Sequence, residues 1–468
     1  MAASETALDF LRNADNPGGV IVHDRPKLDL DLYLQNYAGR TRFDRLLLIG
    51  KSSVWLCVDA LKAAVNEAKR GKDVSRYRDA WQCLSLVAPD EQEARKDDAW
   101  IDRTEMENKA ETARLENELK GYRNNLIKES IRMGNEDIGA HFEAIGMLNE
   151  AMEAYTKMRQ DVGTTKHIMD CGIHLTNVSL LRRDYTMALN NIGKITSLQS
   201  GGDEEKTCQG YTRIASGVAY LGLERFDDAA KTFLGTNFNT PPTEYNNVAS
   251  PNDVAIYGGL LALATMDRKE LQSLVLDNQS FRAFLEHEPH IRKAISLYVS
   301  GRYSSCLSML QASRADFLLD IHLQKHIPAI YSKIRSKCIV QYFVPFSCVT
   351  LERLGDAFAQ PGISIEPELV EMIRDGSLKA RIDAKNKLLV AVRPDARVSM
   401  QKDAIQVANN YEREAKERLR RISLVAAGLD LVGAKKSAAG PAVGSGVDEA
   451  WYEENRNTSY QGGVETFG

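Results

Sequence analysis

Residues 350–392 read TLERLGDAFAQPGISIEPELVEMIRDGSLKARIDAKNKLLVAV. Thr350 is placed to cap a helix over 351–358, whose Leu351, Leu354 and Phe358 share a face, and Pro361-Gly362 stops it. Ser364 opens a further helix with Pro367 in its first turn, where a missing amide hydrogen does no harm; Leu369, Val370 and Ile373 are expected to turn inward. Two short strands follow, 378–383 and 388–392, joined by Ala384-Lys385-Asn386-Lys387 and closed by Pro394. Just upstream, 330–343 is amphipathic and ends at Pro345. Three helices and a hairpin in so short a span describe a winged helix.

Working back toward the N-terminus, apolar residues recur at three and four spacing in nearly every window from 28 to about 328, so the body is expected to be helical. A short template returns along it: a large apolar residue, then small or apolar ones at +3, +4 and +7. It reads Tyr77, Ala80, Trp81, Leu84; Leu148, Ala151, Met152, Tyr155; Tyr185, Ala188, Leu189, Ile192; Phe226, Ala229, Ala230, Phe233; and Tyr303, Cys306, Leu307, Leu310. A weaker copy lies near Leu271. Each two-helix unit has an apolar face it cannot hide alone, and small residues let the next unit approach, so stacking builds one continuous core. The fold class expected is therefore mostly α: a TPR-like helical-repeat solenoid, a winged helix and a C-terminal helix.

The boundaries read as a loosely ordered arm over 1–27, a repeat domain over 28–327 with one long charged helix at about 91–133, a winged helix over 328–400, a packing helix over 401–432 and a disordered tail over 433–468. The packing helix carries Ile405, Ala408, Tyr411, Ala415, Leu419 and Ile422 as a narrow apolar stripe between charges, a pattern suited to another helix.

Composition narrows the function. The chain has 468 residues, 43% of them hydrophobic, and 60 Lys and Arg against 64 Asp and Glu, for a formal charge of -4. Such a balance gives no overall attraction to polyphosphates. The seven cysteines are scattered and never form C-x-x-C, which fits buried thiols in a reducing compartment rather than a disulfide framework or a zinc ribbon. Neither a secretory leader nor a membrane-spanning run is read, so the expected location is cytoplasm and nucleus.

No catalytic, cofactor or metal site is expected. Ile49-Gly50-Lys51-Ser52 has the end of a phosphate loop, but Arg45 stands where its first glycine belongs. His167, Cys171 and His174 share a helix face without a fourth ligand, and His287/His290 and His322/His326 lack the H-E-x-x-H form. The acidic run Glu366, Glu368, Glu371 and Asp375 gives the helix before the hairpin the wrong sign for lying beside phosphates. Lys379, Arg381, Lys385 and Lys387 make the hairpin basic; a charged edge that selects strand pairing accounts for them better than nucleic acid does.

Helical repeats running into a winged helix and a packing helix resemble the PCI-domain family, the module shared by subunits of the proteasome lid, the COP9 signalosome and translation initiation factor 3. Three stretches resemble the signalosome subunit 1 branch. They are Tyr33-Leu34-Gln35-Asn36-Tyr37-Ala38-Gly39 with Arg42, Arg45, Leu46 and Ile49; Asp137-Ile138-Gly139-Ala140-His141 with Leu148, Ala151 and Tyr155; and Tyr257-Gly258-Gly259-Leu260 through Ala262-Leu263-Ala264-Thr265 to Leu271.

The resemblance implies a non-catalytic scaffold supporting cullin deneddylation, with the isopeptidase on another subunit. That subunit's zinc motif contains H-x-H, which does not occur here. It implies other PCI subunits as partners through the winged-helix edge and a C-terminal helix bundle, and cullin-RING ligases through the helical arm, with no nucleic acid or membrane. The interface residues expected are Leu378, Lys379, Arg381 and Asp383 on the hairpin, and Ile405, Tyr411, Ala415, Leu419 and Ile422 on the last helix. A proteasome lid subunit, an RNA- or ribosome-associated PCI protein and, third, an autonomous hydrolase are the alternatives.

Overall fold

The computed structural model describes residues 8–12, 19–198, 205–358, 364–392 and 396–427, and the chain divides into two compact units, Met1–Ala391 and Val392–Gly468. The expected tail over 433–468 lies outside the described residues. In the first unit helices follow one another almost without interruption: α1 Leu30–Gln35, α2 Gly39–Ser52, α3 Cys57–Arg70, α4 Val74–Val87, α5 Asp98–Asn124, α6 Lys128–Ile145, α7 Leu148–Met158, α8 Thr165–Leu181, α9 Tyr185–Leu198, α10 Glu205–Gly222, α11 Phe226–Leu234 and α12 Pro251–Thr265. A π turn at Leu271–Leu276 leads to α13 Gln279–Leu285, α14 Pro289–Val299, α15 Tyr303–Phe317 and α16 Ile327–Phe343.

Consecutive helices pack on one another, as stacked pairs require. The template residues lie where the pairs meet: Tyr77, Ala80, Leu84, Ala151, Tyr155, Ala188, Ala229, Ala230, Phe233 and Cys306 are all fully buried. The preceding helix of a pair answers with a glycine. A Cβ on Gly139 would stand 2.5 Å from the Tyr155 ring, and one on Gly217 would stand 2.6 Å from Phe233, so only glycine admits the aromatic at +7. Helix α12 is apolar nearly all round and buried from Val254 to Ala264 save Ile256, the mark of a central helix. Its Ser250 and Asp253 form a reciprocal capping box at the N-terminus. At its other end Lys337 of α16 donates to the Leu263 carbonyl at 2.8 Å and to that of Met266, which satisfies acceptors a helix end leaves free.

Two expectations are corrected here. The long helix expected over about 91–133 is divided: α5 ends at Asn124, Leu126 takes the left-handed conformation with φ +53°, and α6 starts at Lys128. The two helices then pack through Leu115, Leu119 and Ile138, burial that one straight rod could not achieve. The segment read as a loosely ordered arm has contacts. Phe10 and Leu11 are buried against the first helices, and Val22 donates to the Ser52 carbonyl at 2.8 Å. The first helices also bond to distant parts of the chain. Ala38 N–H donates to the Asn246 carbonyl at 3.1 Å, Thr41 donates to that of Asn247, and Arg40 reaches the Glu143 carbonyl at 2.7 Å.

The winged helix closes this unit. Strand β1 Cys348–Thr350 precedes α17 Leu351–Phe358 and α18 Glu366–Arg374, and β2 Ala380–Asp383 and β3 Leu388–Ala391 form the hairpin. The antiparallel order is β1-β3-β2, with Thr350 opposite Leu388 and Arg381 opposite Val390. Thr350 Oγ1 accepts from Arg353 N–H at 3.3 Å, the cap that the sequence suggests. Strand β1 was not foreseen. In α18 the inward positions are Leu369 and Met372, whereas Val370 is exposed. In the second unit α19 Ala396–Ala426 starts earlier than the expected 401.

Candidate interaction surfaces

The sheet carries one buried and one open face because its side chains alternate. Val349 and Leu389 are buried; Cys348, Val390 and Arg381, aligned across the three strands, are exposed. Strand β3 lies in the middle, so of the hairpin's two strands only β2 stands at an edge. Along it Lys379 and Arg381 are exposed and Asp383 is half-buried. Asp383 accepts from the Lys385 and Asn386 N–H groups and from the Asn386 amide, and the last of these above all holds its carboxyl below the usual range. That fixes the basic turn, in which Lys387 adopts φ +51°.

Leu378 does not belong with these residues. It is 3% exposed, because its N–H bonds back to the Met372 carbonyl at 3.1 Å and the resulting turn carries the side chain beneath the sheet. The sequence reading placed it on the interface as the first residue of the hairpin's edge strand, which begins only at Ala380. On α19 the expected positions do present a surface: Ile405, Tyr411, Leu419 and Ile422 are 61–72% exposed, and Ala415 is partly covered. Around them Glu412–Lys416 and Glu417–Arg421 pair one helical turn apart.

The acidic helix before the hairpin turns one of its charges inward. Glu368 of α18 takes a two-pronged pair from Arg335 of α16 at 2.7 and 3.0 Å, joining the winged helix to the preceding helix. The histidine and cysteine sets are likewise held in packing. Cys171 is buried and donates to the Tyr155 carbonyl, while His167 and His174 face Glu129 and Glu136, each at 3.8 Å. His290 pairs with Glu288 at 3.1 Å. His322 lies in the interior, where burial pushes it down to about 4, so it stays neutral. His326 is buried against Phe226. Among the described residues no three His, Cys, Asp or Glu side chains are grouped to hold a metal ion, and no helix is long and apolar enough to cross a membrane.

Sequence reasoning missed the strongest polar cluster. Arg45 of α2 is wholly buried, and its guanidinium donates to Asp253 at 2.8 Å, to Asp320 at 2.7 Å, to Tyr257 at 3.2 Å and to Tyr33. Tyr37 donates to Asp253 at 2.8 Å and its ring lies 4.0 Å from the guanidinium carbon; Tyr257 donates to Asp320 at 2.7 Å. Burial raises the Asp253 carboxyl. Against the same cost of burial, Arg45 above all holds Asp320 low. The cluster gathers α1, α2, α12 and the segment after α15, with Arg45 and Asp320 separated by 275 residues. Two of the three stretches that carry the resemblance, around Tyr33 and around Tyr257, meet here. The signal was present as an arginine and two tyrosines on apolar faces, but their partners are too distant in sequence to be read.

With this geometry in place, likeness to known proteins can be set beside it. The family model described as "26S proteasome subunit RPN7" matches residues 97–274, and that of the PCI domain matches residues 303–393. COP9 signalosome complex subunit 1 of Neurospora crassa is 50% identical, with 92% of this chain and 94% of that protein covered. Its counterpart in Emericella nidulans is 46% identical over 88% and 85%, and that of Arabidopsis thaliana is 37% identical over 85% and 90%. The chain belongs to the COP9 signalosome complex subunit 1 family, with a PCI domain at the end of its helical repeats.

Proposed function

We propose that this chain is a non-catalytic scaffold of the COP9 signalosome, supporting removal of the ubiquitin-like modifier from cullins and so the regulation of cullin-RING ubiquitin ligases. The observation that carries this reading is a pair of surfaces left exposed among the described residues. The β2 edge offers backbone donors and acceptors under a basic selection, and α19 exposes an apolar stripe that water disfavours. Other PCI subunits take these two surfaces, and the helical repeats meet the cullin-RING ligase, in cytoplasm and nucleus alike. A buried arginine cluster that locks the first helices to the centre suits an element whose task is to hold a shape.

The test is co-purification. Leu419→Asp with Ile422→Asp removes the stripe while touching no buried contact, so the isolated chain keeps its helical circular dichroism and drops out of the complex. Normal recovery with the other subunits from the native cell refutes the proposal. The exposed basic hairpin supports a second reading, binding of RNA. It requires salt-sensitive retention in a filter-binding assay that disappears when Lys379, Arg381, Lys385 and Lys387 are neutralised.

A further inference from the structure

A groove of about 450 Å³ opens between α15, α16 and the end of α17, where the last repeat meets the winged helix. It includes neither the β2 edge nor α19. Its floor is apolar, with Leu307 and Phe358, and two arginines stand in its wall, Arg314 and Arg335.

The two arginines differ in what they leave unsatisfied. Arg335 pairs with Glu368 through Nε and Nη2, and Nη2 also donates to the Phe358 carbonyl at 2.7 Å. Arg314 has no ion pair among the described residues. Its Nε is buried without a hydrogen-bond partner, and its guanidinium carbon lies 5.9 Å from the centre of the Tyr331 ring. A donor held away from water with no acceptor is a cost that a ligand oxygen removes.

The rest of the groove limits what that oxygen belongs to. Asp356 also lines the groove. A phosphodiester backbone, with charge at every step, is repelled by it. The apolar floor asks for a hydrophobic side chain beside the carboxylate.

We propose that this groove docks an acidic peptide segment of a partner protein, with a carboxylate on Arg314 and a neighbouring aliphatic or aromatic side chain between Leu307 and Phe358. It is a third contact surface, independent of the two invoked for assembly.

The full chain is titrated into a fluorescein-labelled dodecapeptide in which Glu alternates with Leu and Phe, and anisotropy is followed. Twins carrying Gln or Lys in place of Glu are run beside it. The Glu peptide is expected to bind at least about tenfold more tightly than the Gln twin, with affinity falling as salt rises. Arg314→Glu reverses the preference toward the Lys twin, Leu307→Asp weakens all three, and Lys379→Ala with Arg381→Ala changes nothing. Arg314→Gln, which keeps the size of the side chain, serves if circular dichroism shows that Arg314→Glu has unfolded. Absence of saturable binding to the wild-type chain overturns the proposal. So does equal affinity for the Glu and Gln peptides, an unaltered Glu-peptide affinity in folded Arg314 variants, or a labelled single-stranded RNA or a second copy of the chain competing for the same arginine.

Discussion

Arg45→Met tests the buried cluster most directly. The substitution keeps an unbranched side chain of similar reach and leaves Asp253 and Asp320 buried without their cation, with hydroxyl and backbone N–H donors from Tyr37, Tyr257, Ser250, His322 and Leu323 but no positive charge to pair with. Breaking a buried pair from one side typically costs about 3–5 kcal/mol, because the stranded charge has neither water nor a partner. For a unit of this size that corresponds to a fall of roughly 1 M in the urea midpoint.

The pH dependence gives the mechanism its signature. Carboxyls in the unfolded chain titrate near 4, whereas the two left in the variant's interior hold their protons to higher pH, Asp253 being raised even with Arg45 present. The folded variant therefore binds more protons than the unfolded chain as pH rises, and its stability falls between pH 5 and pH 8 more steeply than that of the wild type, in which Asp253 alone of the two is raised, to about 6, and Asp320 is held low. The deficit must be larger at pH 8 than at pH 5, as followed by circular dichroism at 222 nm in urea. Adding Asp253→Asn and Asp320→Asn to Arg45→Met should recover much of the loss, since no unpaired charge remains. A wild-type midpoint for Arg45→Met at pH 8, or a deficit that does not change with pH, refutes the electrostatic account.

Three further outcomes follow from the packing. Gly217→Ala forces the Phe233 ring to move from a Cβ otherwise 2.6 Å away and is expected to cost about 1–3 kcal/mol in the same urea assay; Gly193→Ala, with open space around it, should cost far less. Leu378→Ala empties a buried site and should lose about 2–5 kcal/mol, whereas Arg381→Ala on the exposed face leaves the midpoint within error. Burial pushes Lys337 down to about 8, below its unfolded value, so the unfolded chain binds the extra proton and stability rises from pH 8 to pH 10; Lys337→Met should flatten that slope in pH-dependent urea titrations.

Local rules carried the sequence reading wherever an element announces itself within a few residues. The repeats were legible because a helix returns to the same face every three or four residues and because Ala151, Ala188, Ala229 and Ala230 are small where a neighbour must come close. Pro367 and the Asp383–Lys387 turn punctuate the winged helix in the same local way, while the break expected at Pro361-Gly362 lies outside the described residues. Strand β1, three residues long, has no periodicity to detect and exists only because β3 offers it partners. Leu378 was misplaced because a single turn decides which side of the sheet a residue meets. The glycines facing Tyr155 and Phe233 were invisible for a similar reason, as each partner lies on the other helix of the pair.

The sequence by itself determined the helical repeats, the winged helix and the apolar stripe on the last helix, since periodicity, turn residues and charge act over a few positions. Only the tertiary structure decided that Arg45 meets Asp253 and Asp320, that α1 and α2 pack back onto α12, and that Arg314 has no counter-ion among the described residues. Those outcomes depend on which distant side chains reach one buried place, and desolvation, which sets their energies, exists only once the chain has closed around them.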